Sequence, residues 1–82
     1  MSKQIKLNPE VMNDVINQLC VAYEKQISKE RIKIYYDTLK LSYDNEDITR
    51  MVPIVLGKCK YFPSIADIVS AINDIDYMQQ LN

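Results

Sequence analysis

The chain of 82 residues has no histidine and no tryptophan, one glycine, one phenylalanine, two cysteines and three prolines. Each scarcity closes off a class of protein. Without histidine, the commonest general base at neutral pH and the commonest metal ligand are missing together. A single glycine cannot build a phosphate-cradling loop and leaves little room for the tight turns of hairpins. Two cysteines with no histidine to join them do not complete a tetrahedral zinc site. No signal peptide opens the chain and no apolar run reaches membrane-spanning length, so the expected compartment is the cytoplasm, where thiols stay reduced.

What is present is ordinary globular material, 48% hydrophobic and 26% charged. Its apolar residues recur at helical spacing, not in alternation, which predicts an all-α fold: a small single-domain bundle of about four helices. The expected layout is a flexible N-terminal arm over 1–8, a helical bundle over 9–77 and a C-terminal tail over 78–82. Net charge is −1 and the pI about 5.2, a balance unsuited to sequence-independent nucleic-acid binding. Seven basic residues face five acidic ones in the first 43 positions, and three face six in the remainder. That asymmetry can orient a partner but would not hold DNA.

The best-punctuated stretch runs from Tyr61 to Ile72. Pro63 keeps Phe62 extended, so a preceding helix cannot run through. Ser64 and Asp67 have capping-box spacing, and Ile65, Ile68, Val69 and Ile72 form one apolar stripe beyond the cap. Upstream, Asn8-Pro9-Glu10 opens a first helix that carries Met12, Val15, Ile16, Leu19, Ala22 and Tyr23, with Val11, Cys20 and Val21 widening its stripe. Ser28 caps a second, with Ile32, Tyr35, Tyr36 and Leu39 on one face and an end near Leu41. Asp44 or Asn45 caps a third, which carries Ile48, Met51, Val52, Val55 and Leu56. Pro53 should kink that helix or break it near Val52, and Gly57 is the expected C-terminal cap.

No catalytic constellation emerges, so an enzyme is not expected, nor is a cofactor or a metal. The carboxylates Asp44, Glu46 and Asp47 suit the start of a helix. Cys20 reads as a small core residue, and Cys59 beside Lys58 lacks a base that would make it a nucleophile. Lys25, Lys29, Arg31, Lys33 and Lys40 make the second helix the most basic surface, read as a solvated face interleaved with Glu24, Glu30 and Asp37. The remaining aromatics at helix ends, Tyr61 and Phe62 first and Tyr43 and Tyr77 after them, together with Lys58 and Lys60, form the candidate partner-binding set. An aromatic anchor with a charged rim is the pattern of protein–protein hot spots. Phe62 has a second reading, as the plug under the fourth helix.

This order of elements resembles the small phage family of replicative helicase loaders and inhibitors. The resemblance runs from Val11 to Ile72. It rests on a first helix ending in Ala22-Tyr23, a second with Tyr35-Tyr36 and Leu39, and an acidic turn at 44–47. Its closing signature is Tyr61-Phe62-Pro63-Ser64-Ile65-Ala66-Asp67-Ile68. It implies a helical N-terminal domain, a phage or prophage origin, action in the host-cell cytoplasm and a non-enzymatic role in DNA replication. The implied partner is a replicative helicase. The alternative is a small phage inhibitor of a host defence nuclease, anti-CRISPR-like, that reuses the same helical domain. Pro53 and the short stretch after Ile72 depart from the family pattern. No membrane partner and no direct nucleic-acid contact are expected, and a homodimer stays open.

Overall fold

A computed structural model describes the backbone of residues 7–81 and the side chains of residues 7–75. Four helices follow in order: α1 (Pro9–Tyr23), α2 (Lys29–Leu39), α3 (Asn45–Lys58) and α4 (Ile65–Leu81). The fold is the all-α bundle that the spacing predicts. Helix α3 is its hub, packing on α1 and on α4, while α2 lies along α1.

The core is drawn from the apolar stripes. Met12, Val15, Ile16 and Leu19 of α1 meet Ile48, Met51, Val52 and Val55 of α3 and Ile68, Ala71 and Ile72 of α4, with Tyr35 and Leu39 of α2 closing the side. Among the described residues no polar or charged side chain is buried apart from Tyr35, whose hydroxyl is bonded. Leu7, at the end of the segment expected as an arm, is 2% exposed, and the Asn8 N–H donates to Asn45 Oδ1 at 2.8 Å. Asn8 therefore stands at the N-cap position of α1 without bonding through its own side chain; it ties the start of α1 to the start of α3 instead.

Two capping boxes frame the second half of the chain. Asp47 N–H donates to Asp44 Oδ1 at 2.9 Å and Asp44 N–H to Asp47 Oδ2 at 3.3 Å. Asp67 N–H donates to Ser64 Oγ at 3.2 Å and Ser64 N–H to Asp67 Oδ2 at 3.0 Å. In each, two otherwise orphaned N–H groups find acceptors and an acid sits at the positive end of the helix.

Several expectations are corrected. Pro53 does not break α3, which is one helix from Asn45 to Lys58. Its ring and Thr49, whose carbonyl loses its partner, are both exposed, so water can satisfy that oxygen. Gly57 is not a cap. It lies inside the helix without positive φ, and Cys59 closes α3 in extended conformation (φ −100°, ψ 130°). Leu56 (46% exposed) and Val21 (79% exposed) are outside the core, because each sits at the edge of its stripe where no other helix covers it. Helix α2 ends at Leu39, with Lys40 as its C-cap. Helix α4 continues through Leu81, past the expected tail boundary at Tyr77, since neither glycine nor proline follows Pro63 to stop it. Asn82 and residues 1–6 lie outside the described residues.

Candidate functional site

The segment that joins α3 to α4, Cys59 to Ser64, is the part of the candidate set that the fold gathers into one place. It begins on the C-terminal carbonyls of α3. The Tyr23 hydroxyl, at the end of α1, donates to the Cys59 carbonyl at 2.8 Å and approaches the Val55 carbonyl at 3.2 Å. Cys59 N–H donates to that same Val55 oxygen at 2.8 Å. Burial is the main reason that the Tyr23 hydroxyl titrates above its ordinary value, with smaller contributions from Cys59 and Asp67.

Phe62 is the next fixed point. Its ring meets Tyr23 edge to face, with centroids 6.2 Å apart and planes at 67°. The Arg31 guanidinium lies 5.6 Å from the Phe62 centroid and 5.6 Å from that of Tyr35. Arg31 Nη2 donates to the Tyr35 hydroxyl at 3.2 Å, and that hydroxyl donates to the Pro63 carbonyl at 2.8 Å. Pro63 is buried and Ser64 opens α4. One connection is thus gripped by α1 through Tyr23 and by α2 through Arg31 and Tyr35. Phe62 is half-buried and packs in this corner against Tyr23 of α1 and Arg31 of α2.

Tyr61 has the opposite fate and is 76% exposed. Lys60, also exposed, makes no ion pair among the described residues, whereas Lys58 pairs with Asp74 of α4. That hydrogen bond to Asp74 is the first cause of a raised Lys58 pKa. Cys59 is not an activated thiol. Burial first and then the Asp67 charge push it up, and the downward pull of Lys58 is the smallest of the three influences. Both cysteines are free and half-buried, so Cys20 is a flank of the core and not its interior.

Of the candidate set, Lys58, Lys60, Tyr61 and Phe62 share this corner. Tyr43 does not join them. It is half-buried against the core in the connection before α3, a helix of 14 residues and hence roughly 20 Å long, at the far end from Lys58. The Tyr77 side chain lies outside the described residues. Sequence reasoning missed Arg31 as a member of the corner, taking it for part of a solvated face. Its i, i+4 spacing to Tyr35 was the available signal, since residues so placed touch on a helix. The rest of the basic face is as solvated as expected: Lys25, Lys29, Lys33 and Lys40 are exposed, and Lys33 and Lys40 flank Asp37 at 3.5 and 3.4 Å.

Among the described residues no group of three or more Cys, Asp or Glu side chains is placed to hold a metal ion, and no helix is long and apolar enough to cross a membrane. A surface hollow of about 380 Å³ lies between the start of α1 and α2, lined by Met12, Ile32 and Tyr36 with Glu10, Lys29 and Lys33 at its rim. It contains no convergent set of buried polar groups. No protein-family model matches the chain, and comparison with curated proteins and with solved structures yields no match either.

Proposed function

We propose that this chain is a non-enzymatic, protein-binding module of phage or prophage origin, acting in the host cytoplasm on the replicative helicase as a loader or inhibitor does. The helicase enters through the resemblance described for Val11 to Ile72. The observation that carries the binding role is the contrast at one peptide bond: Phe62 is locked by two helices, and Tyr61 next to it stands 76% exposed. A large apolar ring on a connection already held in shape loses little conformational freedom when a partner covers it. Lys60 and Lys58 supply the polar rim that such anchors carry.

The test is size-exclusion chromatography of the full chain with a purified hexameric replicative helicase from a low-GC Gram-positive bacterium. Co-migration is expected. Absence of co-migration, coupled with inhibition of a host defence nuclease in a cleavage assay, would move the module to the alternative target. Failure in both assays would remove both named targets.

A further inference from the structure

We infer that the segment of the partner that docks on this corner carries an acidic side chain, received by the Arg31 guanidinium over Phe62, the residue that follows Tyr61. The inference rests on the protein-binding reading above and specifies the chemistry of the partner.

Arg31 is a cation held over two rings with no acidic partner among the described residues. Its guanidinium lies over two rings, Tyr35 and Phe62, at 5.6 Å from each centroid, and one nitrogen bonds the Tyr35 hydroxyl at 3.2 Å. A guanidinium has five N–H donors, so most of the fork is left unused. The ion pairs among the described residues are Lys33 and Lys40 with Asp37, Arg50 with Glu46, and Lys58 with Asp74; Arg31 is in none of them.

Two described acids near the corner already have partners. Asp67 accepts from the Ser64 N–H in the cap of α4, and Asp74 is taken by Lys58. Lys60 adds a further exposed cation without an ion pair among the described residues. A chain of net charge −1 therefore presents local positive charge at the corner where its exposed tyrosine stands.

The hardware is also of the right kind. A guanidinium is flat and weakly hydrated, stacks on aromatic faces and accepts a carboxylate through two parallel N–H bonds. Held by two rings and a hydroxyl, it has lost much of its rotamer freedom before any partner arrives. Phe62 is both a ring under Arg31 and the sequence neighbour of Tyr61. One short segment of a partner can therefore meet the aromatic and the cation together.

The experiment is a random-peptide selection on the full chain, followed by a double-mutant cycle. Enriched peptides are expected to carry Asp or Glu next to apolar residues. In one such peptide, replacing the acid by its amide should weaken binding to the wild type on the order of ten-fold. The same replacement should have almost no further effect on Arg31→Gln, because the two changes remove one shared contact. Should Arg31→Gln loosen the corner, as a fall in melting temperature would reveal, the cycle is read on Arg31→Lys, which keeps a cation but lacks the fork, so the amide replacement should cost clearly less than in the wild type, though not nothing. Additive losses, or enriched peptides that require Tyr61 but show no preference for acids, would overturn the acidic partner and leave the protein-binding reading standing. Enrichment of no peptide, with capture of a single-stranded oligonucleotide instead, would overturn both.

Discussion

The two connections at opposite ends of α2's neighbourhood are built by different means. Between α1 and α2 the chain turns on its own backbone. Glu24 adopts the left-handed conformation (φ 51°, ψ 51°), Lys25 N–H donates to the Cys20 carbonyl at 2.9 Å and Glu24 N–H to the Val21 carbonyl at 3.3 Å. This is a Schellman closure with glutamate in the place usually held by glycine. Ser28 then caps α2 by accepting from Arg31 N–H at 3.1 Å. Between α3 and α4 no left-handed residue appears, and the turn is held by hydroxyls that lie 28 to 36 positions away in sequence. The first connection is local and self-sufficient. The second takes its shape from the assembled bundle, so it can be disrupted from a distance, and it can present Tyr61 rigidly.

The sharpest way to break that contrast is Phe62→Ala. The ring is half-buried between Tyr23 and Arg31, so the loss should be about 2 kcal/mol, below the range for a fully buried phenylalanine. In a domain of this size that lowers the melting temperature by roughly 10 °C. A thermal melt that does not move would mean the corner is not packed as described.

Tyr35→Phe comes next. It deletes the hydroxyl that serves both Arg31 and the Pro63 carbonyl, leaving a buried acceptor without a donor, at a cost of about 1–1.5 kcal/mol. Chemical denaturation of the single variants and of the double variant with Phe62→Ala should show losses that do not add, since both residues hold Arg31.

Smaller effects, both of them gains in stability, are expected at the two helix ends. Glu24→Gly relieves the left-handed backbone and should raise stability by up to about 1 kcal/mol. Gly57→Ala should raise it by about 0.5–1 kcal/mol, because Gly57 is helical and an added Cβ meets nothing within 4 Å. The only glycine of the chain thus stands where alanine would serve, and the turn that calls for glycine does without it. A fall in melting temperature for either variant would contradict the backbone assigned to that helix end.

Much of the framework was legible in the residues because it is local. The Ser64–Asp67 box, the four apolar stripes and the burial of Tyr35 all follow from spacing along one helix. The Asp44–Asp47 box was equally local, but it reads as a cluster of acids until both of its bonds are seen. What could not be read depends on which helix covers which edge. Val55 is buried and Leu56, one position on, is 46% exposed, a difference set by where α1 and α4 lie against α3. Phe62 and Tyr61 divide for the same reason: Tyr23 and Arg31, from two distant elements, are there to receive one ring and not the other. Pro53 was expected to kink its helix or break it, and the break does not occur; sequence alone does not say that Pro53 lies on an exposed side of α3.

That division between neighbouring aromatics is best tested by a paired measurement on Tyr61→Ala: its melting temperature, and its affinity for the helicase or for a peptide selected on the wild-type chain. Truncating a residue that is 76% exposed should change stability by no more than about 0.5 kcal/mol while affinity falls at least on the order of ten-fold. A lowered melting temperature with unchanged affinity would instead make Tyr61 part of the packing and leave the corner without its anchor.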